Sequence, residues 1–377
     1  MSDYAFSCRW RSLVGGLLVW LSLSLGAYAN ETDNFFLPLD PEFADLGDFL
    51  EAVHTRAIEQ GVREVNSRIE RALNIKDAAI RARQLAQCQT PDALAGAVAA
   101  QFGAAPTETL RIEGALGSSW ARQTFPNQWV MHQDNSMNLR GHSALDPRAL
   151  LMLFQASTVK GFGVYFGTDK ILHFHKLGHA YFKRYRRLLR DGASSEEARR
   201  NVIQYFSEDA LLAEKSGFGT LTTGIYSNGD MAANYAGFKF FLNLTDKVVL
   251  LGKDREPLVL RCGVFWRLND HMRLHSGWLR AFISDHWNEA LNPSLYDASM
   301  RPRIRRILQR RASPIVQFYT WQDRRPNDRV YFENLARTLS THGGEPYGHS
   351  GRFEQLMNIG NTCIPALPEL EMSPGSN

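Results

Sequence analysis

Two helix starts in the middle of the chain set chemically capable side chains one turn apart. Thr168-Asp169-Lys170-Ile171-Leu172-His173-Phe174 spaces a carboxylate and an imidazole by four residues, and Asn228-Gly229-Asp230-Met231-Ala232-Ala233-Asn234 spaces a carboxylate and a carboxamide equally. Residues at that interval share one face of an α-helix. Ile171, Leu172, Phe174, Leu177, Ala232, Ala233, Phe238 and Phe241 surround them, so the polar groups are expected to point into protein. A carboxylate beside an imidazole raises its basicity and fixes its tautomer, which makes Asp169 with His173 a candidate general base. Asp230 would add a second acid/base carboxylate, and Asn234 an amide for a substrate hydroxyl or a developing oxyanion. Lys170 or Arg184 could hold a phosphate. The competing reading is that these groups only bond one another and lock two helices, since an unpaired buried polar group costs about 1–3 kcal/mol.

Other motifs narrow the chemistry. His175 and His179, like His271 and His275, have the i,i+4 spacing that can present two imidazoles to zinc, but neither pair has the adjacent glutamate of His-Glu-x-x-His. An ordinary histidine pair is therefore preferred, and no metal or other cofactor is assigned. His342-Gly343-Gly344-Glu345-Pro346-Tyr347-Gly348-His349 reads as a loop, either closing over a site or forming a plain surface turn. No Gly-x-Ser-x-Gly elbow, Walker loop or dinucleotide fingerprint occurs, which lowers serine hydrolases, nucleotidases and nicotinamide enzymes. Gly161 to Gly167 reads as a flexible glycine-rich approach to the Asp169 helix.

The elements that must position these residues follow from periodicity. Residues 30–103 form a helical segment, with Leu46, Phe49, Val53, Ala57, Val62, Val65 and Ile69 at helical spacing and Thr90-Pro91 opening a second helix. Residues 104–145 are turn-rich and read as loops, with one short strand near Trp129-Val130-Met131. Residues 146–245 return to helix: Asp146-Pro147 opens one, Thr168 caps the next, Ser194-Ser195-Glu196-Glu197 is a capping box for a third running to Gly217, and Ser227 caps the helix of Asp230. Residues 246–377 mix a hairpin at 247–254 with helices near 278–291 and 304–311. The expected fold is mainly α: a helical, bundle-like domain with long loops and a small β hairpin.

The N-terminus bears on compartment. Arg9 and Arg11 precede an apolar run from Leu13 to Leu25 and a small-x-small site at Ala27-Tyr28-Ala29, so residues 1–29 read as a signal peptide cleaved near Ala29. The rival, an uncleaved anchor, is disfavoured because the run is shorter than the roughly 20 residues of a membrane span. A periplasmic or secreted protein is expected. Its formal net charge of +4 names no partner. Two dense clusters, 183–187 and 301–311, are either solvated helix faces or attractors of anionic lipid headgroups and phosphorylated glycans, with peripheral membrane contact. Nucleic acid is excluded for want of any binding motif. After processing, Cys88, Cys262 and Cys363 remain, and Cys262 with Cys363 is the favoured disulfide because it would tie down the Pro-rich tail.

The order Asp169-Lys170-x-x-His173-Phe174, then Glu214, then Asp230-x-x-x-Asn234-x-x-Gly237 resembles the pattern of the VanZ-like bacterial envelope proteins and the related YfiM-like lipoproteins. The resemblance covers about residues 165 to 245 and adds Glu214 to the candidate set. It implies an envelope role, some members being linked to glycopeptide tolerance, and supplies no established reaction. The chain departs from the membrane-embedded members because its helices are too charged to span a bilayer. Two functions are carried forward: a hydrolase-like envelope enzyme using Asp169, His173, Glu214, Asp230 and Asn234 on a glycan or phosphorylated lipid, and a non-catalytic envelope factor binding anionic lipid or a protein through its basic clusters and Trp-rich C-terminal half.

Overall fold

The structure, a computed structural model, describes residues 34–103, 107–133, 141–143, 145–146, 156–209, 213–215, 219–221, 223–270, 272 and 277–367. The signal segment 1–29, the helix start at Pro147, the His271/His275 pair and the end of the Pro-rich tail lie outside the described residues. The fold is mainly α. Every sheet among the described residues is a two-stranded pair.

The chain begins its helical part with α1 (Gly47–Leu73), α2 (Ala78–Cys88) and α3 (Pro91–Phe102). As the periodicity predicts, α1 buries Leu50, Ile58, Val62, Val65 and Ile69 along one stripe. It meets α3 at Gly61, where a Cβ would lie 2.9 Å from the Val98 backbone, so the small residue sets the approach. Thr90 caps α3 by accepting the Ala93 N–H, with Pro91 at the first helical position.

Residues 104–145 are less irregular than expected. They contain α4 (Thr107–Leu116) and α5 (Ser119–Thr124), the latter capped by Ser118. Gly117 is the turn its type signals, between the two helices, whereas Gly114 lies within α4, where burial of Ile112 and Leu116 in the main core outweighs its low propensity. Trp129 forms only an isolated bridge to Phe43. The glycine-rich 161–167 stretch is a hairpin: β1 (Thr158–Gly161) pairs antiparallel with β2 (Val164–Gly167), turning through Phe162 and Gly163, both at positive φ. Asp45 holds that turn by accepting both of their N–H groups at 2.6 Å.

Next come α6 (Asp169–Leu172), a π-helical turn (His173–Leu177) and α7 (Gly178–Arg190) as one continuous run, then α8 (Ser195–Gln204) with the expected Ser194 capping box. Helix α8 passes into a second π turn at Tyr205–Asp209 instead of continuing to Gly217. After β3 (Ile225–Tyr226), α9 (Asn228–Asn243) is buried on nearly every face. Its Gly237 crosses α7 at Gly178 so closely that a Cβ on Gly237 would strike the Phe174 carbonyl, and one on Gly178 would sit 2.5 Å from Gly237 C.

The 247–254 hairpin is present as β4 (Val248–Leu250) and β5 (Lys253–Arg255), and β6 (Val259–Cys262) pairs with β7 (Phe265–Leu268). The helix expected over 278–291 is replaced by two 3-10 turns, Leu279–Ala281 and Asp285–Trp287. There Asn288 bonds the following N–H groups of Ala290 and Leu291, an alternative to helical bonding. After β8 (Leu295–Tyr296), which pairs with β3, come α10 (Arg301–Arg310), α11 (Ala312–Gln317) and α12 (Arg329–Thr338). These build a second core cluster with Phe35, Phe36 and Phe43. The Cys262–Cys363 bridge does not form: no disulfide joins Cys262 to Cys363, the first being exposed and the second buried. Among the described residues no helix is long and apolar enough to cross a membrane.

Candidate active site

The two helix starts do meet. Ser227 caps α9 by accepting the Asp230 N–H at 3.0 Å, which fixes Asp230 in the first turn and sets Asn234 one turn on. Thr168 does not cap α6 in the same way; its hydroxyl donates to Glu113 at 2.6 Å and so ties α6 to α4. The Gly178–Gly237 crossing then brings α9 against the π turn. His173 lies between the two α9 residues, with Nε2 3.2 Å from Asp230 Oδ2 and Nδ1 3.0 Å from Asn234 Oδ1. It pairs with Asp230, not with Asp169 as the one-turn spacing suggested.

Asp169 instead pairs with its neighbour. The Lys170 ammonium reaches Asp169 Oδ2 at 2.8 Å, Asp230 Oδ1 at 2.6 Å and Glu289 Oε1 at 2.8 Å. Three contacts match the three N–H donors of an ammonium. Lys170 is therefore consumed inside the protein and is not placed to bind a phosphate. Glu289 also accepts the Ser227 hydroxyl at 2.7 Å, and Glu214 accepts the Ser227 N–H at 2.8 Å, so one capping serine touches both glutamates. Asn34 completes the frame by accepting the Glu289 N–H and donating to Thr158, each at 3.2 Å.

Every one of these groups is buried, Lys170 and Asp230 at 0 % exposure. Burial disfavours charge, and the site answers unevenly. Burial, with repulsion from Asp230, pushes Glu214 well above the carboxylate range. Burial likewise lifts Glu289 to about 8, against the pull of Lys170. Asp169 is raised by burial despite Lys170. Asp230 goes the other way: burial opposes its charge, but His173 and Lys170 together outweigh it and hold the carboxyl low. Its two oxygens are divided between these partners, Oδ1 facing Lys170 and Oδ2 facing His173. Asn234 Oδ1 and Asp230 Oδ2 thus face the two ring nitrogens of His173 and fix its orientation. Glu214 and Glu289 are both pushed by burial toward the neutral acid.

Donor atoms of Asp169, His173 and Asp230 lie within 4.8 Å of one another, a separation a divalent ion could bridge. The Lys170 ammonium already supplies positive charge to both aspartates there. The other histidines lie elsewhere. His175 bonds His54 at 2.7 Å inside an aromatic shell, with Phe102 stacked on it at 3.6 Å. His179, beyond the π turn, faces Phe241 and a surface cleft. The inserted residue of that turn breaks the shared face that zinc binding would need. Arg184 is also remote, stacked 3.6 Å over Tyr205 on the outer side of α7. The 342–349 loop makes an exposed turn at Gly343–Gly344, as the surface-turn reading expects, but is anchored inward on either side: His342 and Tyr347 are buried, and Glu345 binds Lys239 of α9 at 2.6 Å.

Sequence reasoning missed Glu289, and took Ser227 only for a cap. Glu289 sits in irregular backbone, and its one local sign is an acid set among Trp287, Ala290 and Leu291. No family model, curated protein or solved structure matches the chain.

Proposed function

We propose that the chain is an acid/base enzyme of hydrolase type, exported to the bacterial envelope, acting on an envelope glycan or a phosphorylated lipid. The observation that carries the reading is that two buried carboxyl groups, Asp230 and Glu289, meet on one ammonium, at 2.6 and 2.8 Å from Lys170 Nζ. Glu289, raised to about 8, and Asp230, held low, are joined through the one Lys170 ammonium. Paired carboxyl groups whose proton affinities are driven apart are what general acid and general base catalysis require at neutral pH. In this scheme Asp230 with His173 accepts the proton of an attacking hydroxyl or water, and Glu289 protonates the leaving oxygen. Asn234 fixes the imidazole, and Glu214 is a reserve acid behind Ser227. The envelope setting rests on the N-terminal segment and on the resemblance of the 165–245 pattern.

Purified protein incubated with peptidoglycan fragments and with phospholipid tests this by mass spectrometry of products. Turnover lost in Asp230→Asn and in Glu289→Gln, with both variants still folded by circular dichroism at the assay temperature, supports the reading. Turnover that survives either substitution contradicts it.

Burial of the whole cluster favours a second reading, the non-catalytic envelope factor, in which the ion pairs only weld α6 to α9. Here Asp230→Asn would lower stability, as loss of a buried pair does in either reading, but the wild type would show no turnover and lipid or partner binding would stay intact.

A further inference from the structure

A second polar site lies on the outer side of the same helical run. The end of the π turn and α7 present Lys176, Lys183, Arg184, Arg187 and Arg190 to a cleft of about 690 Å³, walled opposite by Asp92 and Gly96 of α3. That volume is in the range of small-ligand pockets. Phe182, Tyr205 and Phe206 supply apolar lining between the cations.

The charges in this cleft are not compensated. Asp92 is its one lining acid, and it is already engaged by Arg186 at 3.1 Å and Arg190 at 3.2 Å. Lys183 and Arg187 lie one turn apart on α7 and Lys176 in the π turn before it, all three lining the cleft, and among the described residues none of the three side chains has a hydrogen bond or ion pair. Like charges one turn apart, as in Lys183 and Arg187, weaken an isolated helix, so the arrangement runs against the helix's own stability. Arg184 is held ready: its Nε and Nη2 donate to Asn201 Oδ1 at 3.1 and 2.9 Å, while its plane lies on Tyr205. Burial, helped by Lys183, keeps His179 neutral with its pKa lowered to about 4, so it adds no further charge to the cleft floor.

We propose that this cleft binds a phosphate or diphosphate group, with Lys176, Lys183, Arg184 and Arg187 taking the anion and the aromatic lining taking an attached apolar or sugar portion. The same chemistry is offered by a lipid headgroup and by a free phosphorylated compound. Guanidinium and ammonium groups form short, charge-assisted bonds to phosphate oxygens, and a concave site shields them better than an open helix face.

The test uses the whole mature protein with two probes: inorganic pyrophosphate by titration calorimetry, and phosphatidylcholine vesicles containing phosphatidic acid by co-sedimentation. The cleft variant is Lys183→Glu with Arg187→Glu, and the control carries Arg305→Glu and Arg306→Glu on α10. Both variants make the same change in net charge. The cleft variant is expected to bind at least about tenfold more weakly while the control stays near wild type, because directed charge-assisted contacts are lost only in the cleft. Binding of pyrophosphate identifies a free phosphate ligand, and binding of vesicles alone identifies a headgroup. Equal weakening in both variants, or no binding of either probe by the wild type at millimolar concentration, overturns the proposal. If the double reversal does not fold, Lys183→Gln with Arg187→Gln, compared with Arg305→Gln and Arg306→Gln, is read in the same way. None of these residues belongs to the buried acid/base centre, so a failure here is separate from a failure of the proposed enzyme.

Discussion

Lys170 Nζ lies 2.6 Å from Asp230 Oδ1, a fully buried ion pair between two helices whose backbones touch at Gly178 and Gly237. The pair is the electrostatic hinge of the centre, because the same ammonium also serves Asp169 and Glu289. Taking it away leaves three carboxyl groups without their shared cation.

Lys170→Met is accordingly expected to cost about 3–5 kcal/mol, the usual loss when one member of a buried ion pair is removed. Urea denaturation measures it. A loss below about 1 kcal/mol, the scale of an exposed pair, would mean that the ammonium does not hold the centre together.

The glycine crossing makes a steric prediction with its own control. Gly237→Ala drives a methyl group into the Phe174 carbonyl and should destabilise by about 3 kcal/mol or more, at the upper end of overpacking costs. Gly96→Ala, in α3 with nothing within 4 Å of the new methyl, should instead gain roughly 0.5–1 kcal/mol from helix propensity. Thermal melts of the two variants moving in the same direction would refute the close crossing.

The raised glutamates set the sign of the pH dependence. Glu289 rises from an ordinary 4.5 to about 8 on folding, so the folded chain binds more protons than the unfolded one between those values. Its contribution is complete below pH 4.5 and drains away as pH climbs through 8. Glu214 acts in the same direction. The melting temperature should therefore fall from pH 5 to pH 8 at constant salt, and Glu289→Gln should flatten that fall. Asp230, held low, acts oppositely and withdraws its stabilisation only in acid, as pH drops through its depressed value.

Thiol chemistry separates the cysteines. Cys262 is exposed and should react with a maleimide in the native protein, while buried Cys88 and Cys363 should react only after denaturation. A native Cys262 that resists labelling until reductant is added would restore the rejected disulfide.

Much of the helical frame was legible because its signals are local: the Thr90-Pro91 start, the Ser194 capping box and the Ser227 cap each depend on residues within one turn. The meeting of Asp230 and Asn234 with His173 was legible for the same reason, as both helix faces are apolar around their polar groups. What could not be read are relationships fixed by distant chain. The choice of Asp230 over Asp169 as the partner of His173 depends on a π turn and a glycine contact 59 residues apart in sequence. Glu289 comes from irregular backbone with no period to betray it. Gly117 marks the turn between α4 and α5 correctly, but Gly114 misled, because tertiary burial, not propensity, decides that α4 forms through it.

The central claim is that this buried centre keeps a neutral acid beside an ionised one at physiological pH. Carbon-13 NMR of glutamate side-chain carboxyls, followed through a pH titration of the wild type and of Glu289→Gln, tests it most directly. The account predicts a resonance titrating near 8 that disappears in the variant. A wild-type spectrum in which every glutamate titrates below about 5, the ordinary solvent-exposed range, would contradict it.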